Sequence, residues 1–343
     1  MAKDLTVTVT GPTGDLGVAV VEALEASNRV KRVVGLARRP FDPRDRGWKK
    51  TEYREGDVQD AAGVKDAVKG ADVVVHLAFS LLGAGAVEKT RAINVEGSRN
   101  VFGAAVSAGA ERICYASSVA AYGFHADSPD WLDEDVPARG TEAHFYSQQK
   151  AEVEQVLAQI MLRRPKTSAY VFRPCVVAGP RALSLISEIP YVRASDQLPA
   201  SLRRLVRSVP GLRPIIPDPG LRFQLVHEDD VAQAFLAGAL GKGPPGAYNL
   251  AGKGTIRMAD VARALGWYSV PIPKAAVSAT AEFVARAPAL PEVASWIEAA
   301  RRPVLMRTDR AVKELHWRPK HTAKQTLRAT VAAFRATEPG APS

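Results

Sequence analysis

A parallel, doubly wound α/β sheet with a smaller companion domain is the fold class this sequence predicts, on three observations. Short β-branched runs alternate with helical patterns across residues 1–180. The runs are nearly all apolar, as strands covered by helices on both faces must be. The first run, Leu5–Thr10, passes into Gly11-Pro12-Thr13-Gly14-Asp15-Leu16-Gly17 and then an apolar-periodic helix. In that setting glycine allows the tight turn and a close backbone approach, while the helix N-terminus offers free N–H groups and a positive dipole end. The sheet is therefore expected to be of Rossmann type, with Gly11, Thr13, Gly14, Asp15, Leu16 and Gly17 as candidate dinucleotide contacts.

The elements follow in order. Residues 32–37, 73–77, 112–116 and 168–172 are the clearest further strands; residues 18–24, 61–68, 86–107 and 145–162 carry helical periodicity. After Pro180 the pattern changes to helix-prone segments broken by prolines, with strand cues at 223–226 and 247–250. A dinucleotide-binding domain is expected over 1–180, with 221–250 partly returning to it over a helix at 229–240. A smaller, mostly helical substrate-binding domain is expected over 181–336, and the Pro/Gly-rich 337–343 reads as a disordered tail.

Composition narrows the setting. The 343 residues suffice for a large core. Met1-Ala2-Lys3-Asp4 leads straight into a strand, and no apolar run is long enough to span a bilayer, so a cytoplasmic protein without membrane association is expected. Cys114 and Cys175 each sit in an apolar run, which suits buried thiols rather than a disulfide or a metal pair. The net charge of +10 comes from dispersed Lys and Arg with no aromatic-interleaved stripe, which speaks against a nucleic-acid partner. Arg203, Arg204, Arg207 and Arg213 crowd one stretch and are candidates for an anionic ligand.

The chemistry centres on Tyr146-Ser147-Gln148-Gln149-Lys150. One helical turn apart, Tyr146 and Lys150 share a face, and a neighbouring ammonium favours phenolate, which makes the tyrosine usable for proton exchange. Tyr115-Ala116-Ser117-Ser118 closes the strand at 112–116 at the carboxyl edge where such sheets bind ligands, and supplies a hydroxyl able to polarise a carbonyl. His76 lies on a buried strand and is expected to be structural; His125 and His144 are alternative proton donors.

With these motifs stand Gly56-Asp57-Val58, His76-Leu77-Ala78, Asn94-Val95-Glu96-Gly97-Ser98, Ser117-Ser118-Val119-Ala120-Ala121-Tyr122-Gly123, Phe172-Arg173-Pro174 with Gly179-Pro180, and Val226-His227-Glu228-Asp229-Asp230-Val231-Ala232. In this order the chain resembles the extended short-chain dehydrogenase/reductase superfamily, in its NAD-dependent epimerase/dehydratase branch. The resemblance implies Tyr146 as general acid/base, Lys150 on the nicotinamide ribose, Ser118 on the reacting oxygen and Asn94 as fourth member. It further implies that Asp57 and Val58 contact adenine, that Leu77, Ala78, Arg173 and Pro174 line the cofactor, and that the helices at 86–107 and 145–162 form a homodimer.

Where an NAD-binding unit of this fold presents a carboxylate to the ribose, this chain has Ala37-Arg38-Arg39, which favours NADP(H) through Arg38 and Arg39; NAD(H) is the alternative. The family's dehydratases carry an Asp-Glu pair after the catalytic hydroxyl, where this chain has Val119 and Ala120. Where many of its sugar-nucleotide epimerases place an arginine, the chain has Phe223-Gln224, with Arg222 adjacent. Ile186, Ile189, Pro190, Tyr191, Val192, Phe283 and Val284 offer apolar walls, and residues 123–140 form a candidate partial lid. The expectation is an NAD(P)(H)-dependent ketoreductase or alcohol dehydrogenase of a small apolar substrate. The alternatives are a nucleotide-sugar epimerase with tightly bound NAD and, more remotely, a noncatalytic dinucleotide sensor.

Overall fold

Six strands of the first unit come in chain order as β1 (Leu5–Thr10), β2 (Val30–Ala37), β3 (Thr51–Glu55), β4 (Val73–His76), β5 (Arg112–Ala116) and β6 (Ser168–Pro174). A seventh, β7 (Gly246–Leu250), joins them in one sheet of order β7-β6-β5-β4-β1-β2-β3, parallel throughout. The structure is a computed structural model that describes residues 3–81, 87–142, 144–163, 166–187, 189, 192, 213–273 and 304–337. Strand order reverses between β1 and β4, and at such a switch point the connections leave in opposite directions and open a crevice at the carboxyl edge. The glycine-rich turn after β1, Leu77-Ala78 after β4 and Ser117-Ser118 after β5 all leave the sheet along that edge.

The helices around this sheet include α1 (Asp15–Ala26), α2 (Ala61–Ala67), α3 (Val87–Arg91), α4 (Gly97–Ser107), α5 (Phe145–Leu162) and α6 (Glu228–Ala239). On one face, Val74, Ile113 and Tyr115 pack against Val101, Phe102 and Ala105 of α4 and Val153, Val156 and Leu157 of α5. Each such side chain contributes about 1.5–3 kcal/mol of burial.

The single helix expected at 86–107 is instead broken: α3 and α4 are joined by a π-helical turn, Ala92–Glu96. Ala86 lies outside the described residues. The wider turn carries buried Asn94 between the buried apolar Ile93 and Val95, and α4 resumes at Gly97, where a Cβ would come within 2.6 Å of Val58. The third strand, β3, escapes sequence reading because Thr-Glu-Tyr-Arg-Glu is a half-exposed edge without an apolar run.

The chain divides into two compact units: residues 1–175, 229–250 and 306–318 in the first, and residues 176–228, 251–305 and 319–343 in the second. The return of 306–318 carried no sequence signal. The described part of the second unit mixes strands and helices. Val176–Ala178 pairs with Leu225–His227, and Ile215–Asp218 pairs with Tyr268–Pro271. Ile186, Val192, Ile216, Leu225, Ile256, Val261 and Leu327 form its core. Ile186 and Val192 are thus core residues of this unit rather than open walls, and Ile189 packs on them. Pro190, Tyr191, Arg203, Arg204, Arg207, Phe283, Val284 and residues 338–343 lie outside the described residues; Thr337, placed in the tail by sequence, ends helix Ala323–Thr337. No helix among the described residues is long and apolar enough to cross a membrane. Cys114 and Cys175 are both buried thiols.

The glycines of the first turn are not equivalent. A Cβ on Gly17 would sit 2.0 Å from the Gly11 carbonyl oxygen and 2.8 Å from Pro12, whereas on Gly14 the nearest atom is 3.7 Å away. Gly17→Ala should therefore lower stability by at least ~2 kcal/mol, and Gly14→Ala by no more than ~1 kcal/mol. Urea midpoints of the two variants check this; equal midpoints would contradict the packing.

Candidate active site

Thr10 ends β1 and Gly11 takes a left-handed φ of 74°, a conformation glycine alone adopts freely. The turn needs it twice over, since a Cβ at Gly11 would lie 3.0 Å from the Ala78 nitrogen. Gly14 caps α1 without any side-chain acceptor, so the first-turn N–H groups, including those of Asp15 and Leu16, are not satisfied by a capping side chain. Thr13 and Gly14 are exposed. An exposed, glycine-rich turn at an uncapped helix N-terminus fits a dinucleotide pyrophosphate.

At the far end of the edge, Arg38 and Arg39 follow β2 and are exposed. Arg38 Nη1 lies 4.0 Å from the Asp57 carboxylate, which also accepts the Gln59 N–H at 2.9 Å. These two sequence candidates come together. Val58 does not join them by its side chain, which packs beneath Gly97, while its carbonyl accepts Asn100 Nδ2 at 3.0 Å.

Ser118, Tyr146 and Lys150 do converge. Burial pushes the Tyr146 phenol above its usual range, and the nearby Ser118 side chain pulls it part of the way back. Lys150 Nζ donates to the Ala116 carbonyl at 2.6 Å and lies 3.7 Å from the centre of the Phe79 ring, which meets Tyr146 edge-on. Burial brings its ammonium down to about 7, and the charge of Glu154 works in the opposite direction. Ser117 turns the other way and donates to Glu154.

Asn94 stands one step back from this cluster. Its Oδ1 accepts the Ser80 N–H at 2.7 Å, and its Nδ2 donates to Ser80 O at 2.9 Å and to Gln149 Oε1 at 2.8 Å. With its amide so engaged it holds the segment after β4 against α5. His76 belongs to the same framework: Nδ1 lies 2.7 Å from Thr10 Oγ1 and Nε2 lies 2.8 Å from Ser98 Oγ. Ser98 gives its only proton to the Asn94 carbonyl, so Nε2 must be the donor to Ser98, and Thr10 Oγ1, with its own proton free for Nδ1, completes the bonding of a neutral ring. Thr10 Oγ1 also takes the Ala78 N–H at 3.3 Å, which ties the glycine-rich strand to the segment lining the crevice. Burial lowers the His76 pKa to about 3.

Several expectations change. Arg173, expected on the cofactor, has its guanidinium on Glu154 at 3.0 and 2.6 Å and over the Tyr122 ring; Pro174 is buried at the end of β6. His144 is no surface proton donor. It is buried, and its Nδ1 accepts the Ser147 N–H at 3.1 Å to cap α5. His125 Nε2 is 2.6 Å from the Gly140 carbonyl. The expected lid is fastened at several points: Phe124 N–H to Thr141, Arg139 to Asp127, Arg310 to Asp135, and Tyr122 O–H against the Asp133 carbonyl. Glu154, mostly but not fully buried, is a residue that sequence reading missed. Its signal was the continuation of the Tyr146–Lys150 spacing by one more turn.

This is a Rossmann-type fold with Ser118, Tyr146 and Lys150 brought together beyond the carboxyl edge of its sheet. Residues 7–251 match the NAD dependent epimerase/dehydratase family, and the chain belongs to that family. It is similar to an Escherichia coli O157:H7 N-acetyl-alpha-D-glucosaminyl-diphospho-ditrans,octacis-undecaprenol 4-epimerase, 33% identical over 130 residues and 37% of each chain. It is also similar to the Mus musculus 3 beta-hydroxysteroid dehydrogenase type 7, 29% identical over 164 residues, 44% of this chain and 43% of the other. The chain thus matches less than half the length of either relative. Among solved structures, gox2253 is 27% identical with a TM-score of 0.73, covering 97% of this chain and 98% of the other. A UDP-glucose 4-epimerase of Thermotoga maritima shares the fold at 19% identity and a TM-score of 0.71, covering 97% and 99%.

The neutral His76 has a stability consequence with a definite sign. Its folded pKa of about 3 lies below the ordinary 6.5, so the unfolded chain binds its proton first as pH falls. The contribution is complete above about pH 6.5 and is lost progressively toward pH 3. Denaturant titrations over that range should show a shallower pH dependence for His76→Asn than for the wild type. Parallel curves would remove His76 from the framework's acid sensitivity.

Proposed function

We propose that the chain is an NAD(P)(H)-dependent oxidoreductase, a ketoreductase or alcohol dehydrogenase acting on a carbonyl or carbinol of a small apolar substrate. The observation that carries this reading is the convergence of Ser118, Tyr146 and Lys150, the last two one turn apart on one helix with the Lys150 ammonium 5.8 Å from the Tyr146 ring centre. The glycine turn and the α1 N-terminus would hold the pyrophosphate, Asp57 and Arg38 the adenosine end, and Lys150 the nicotinamide ribose. The bound nicotinamide supplies or accepts the hydride. Tyr146, its phenol kept protonated by burial, gives a proton to the carbonyl oxygen as negative charge develops there, and Ser118 holds that oxygen in place. The Lys150 ammonium offsets the charge left on the phenolate.

NADP(H) is favoured because two exposed arginines, Arg38 and Arg39, follow β2 where a ribose-binding carboxylate would stand. The hydroxysteroid dehydrogenase relative supports the redox reading. So does Phe223, which fills the position of the family's diphosphate arginine with an apolar side chain packed on the second unit's core, while Arg222 is exposed. The 4-epimerase relative supports a second reading, a nucleotide-sugar epimerase that retains its NAD.

Mass spectrometry of copurifying nucleotide, followed by a screen of ketones against UDP-sugars, separates the two. A reductase exchanges cofactor and consumes it; an epimerase keeps it. Tyr146→Phe should cut turnover by roughly 10²–10⁴-fold with nucleotide affinity little changed, and retained activity would remove Tyr146 from the chemistry. Arg38→Ala should weaken NADP(H) by about 1.5–3 kcal/mol and leave NAD(H) nearly untouched. Fluorescence titrations of that variant and of the Arg38/Arg39 double alanine check the assignment, which fails if wild type binds both cofactors equally and neither variant changes either.

A further inference from the structure

Past Lys150 the stripe on α5 runs one more turn to Glu154, a carboxylate with no part in the proton transfer described above. Arg173 grips it through Nε and Nη2 at 3.0 and 2.6 Å, and Ser117 donates to it from the end of β5. The side chains of the pair are 7% and 11% exposed. Buried ion pairs contribute little net stability compared with apolar packing, so stability alone does not account for one here. Its neighbour does. Lys150 is a second buried cation on the same helix face, and its closest companions, the Ala116 carbonyl and the Phe79 ring, carry no charge.

We propose that Glu154 is a positioning residue of the reaction centre: clamped by Arg173 and Ser117, it is the fixed counter-ion that keeps Lys150 an ammonium beside Tyr146. This deepens the reading above and rests on Lys150 acting there as a cation. The ionisable groups around Lys150 are Tyr146 and Glu154 from α5, Tyr115 from β5, neutral His76 from β4, and Arg173 from β6 acting through Glu154. Of these Glu154 alone is an anion. Burial drives Lys150 toward its neutral form, and Glu154 opposes that drift. The clamp also gives the adjacent serines separate tasks: Ser118 faces the phenol and Ser117 fixes the counter-ion.

The test is the titration of Lys150 itself, followed by NMR on isotope-labelled lysine in the cofactor-free protein and assigned with Lys150→Met. Glu154→Gln should lower the Lys150 midpoint by about one pH unit, and Glu154→Asp should restore most of it. Because Glu154→Gln leaves Arg173 buried without its partner, the same comparison is made between Arg173→Met and the Arg173→Met/Glu154→Gln double variant, where no orphaned guanidinium remains. The carboxylate should again raise the midpoint. An unchanged midpoint in either background overturns the counter-ion role. The measurement needs neither cofactor nor substrate, so failure of nucleotide to bind would defeat the proposed function while leaving this result standing, and an unshifted Lys150 with intact nucleotide binding would defeat only the inference.

Discussion

An ammonium group inside a protein holds its proton only if nearby dipoles and charges replace the water it has lost. Lys150 is such a group, and much of the first unit's architecture can be traced to it. The Ala116 carbonyl that accepts its proton sits at the carboxyl end of β5, where the sheet ladder ends and a carbonyl is free to turn. The Phe79 ring that covers it comes from the segment after β4, and that segment is held down by the Asn94 amide. Asn94 in turn owes its position to a π-helical turn and to the chain of hydrogen bonds through Ser98, His76 and Thr10. The polar framework thus ties three sheet-edge segments and two helices to one cation.

What the sequence revealed and what it concealed divide along physical lines. Helix α5 was legible to the residue, 145–162, because it is a long run of helix formers without Gly or Pro, and β1 and β5 were legible because they are short strand-prone runs in a buried sheet. While the choice of Ser118 over Ser117 came from the family resemblance, the Tyr146–Lys150 face and a hydroxyl after β5 were legible from helix spacing plus the carboxyl-edge rule. The Glu154–Arg173 pair was not, since its partners come from α5 and β6 and an ion pair leaves no periodic trace. Nor was the π turn. The apolar pattern at 86–107 is that of a continuous helix, and the added residue is demanded only by tertiary contacts, the Asn94 clamp and the Val58–Gly97 approach. His144 misled for a different reason: a histidine before a helix resembles a surface residue, but here its ring nitrogen serves as the cap that serine or aspartate more often provides.

Gly14 brings a consequence of another kind. A serine or aspartate at this position would cap α1 and strengthen the fold by roughly 0.5–2 kcal/mol, and the 3.7 Å of clearance around the position admits a side chain. Such a cap would occupy the same N–H groups that a bound phosphate requires. The turn therefore embodies a stability–function trade-off, in which the native sequence keeps a helix end slightly underbuilt so that a ligand, when present, completes it. Thermal stability in this family member should accordingly be judged with nucleotide bound as well as without, because a variant chosen for ruggedness in the ligand-free state would select against the binding site at its first turn.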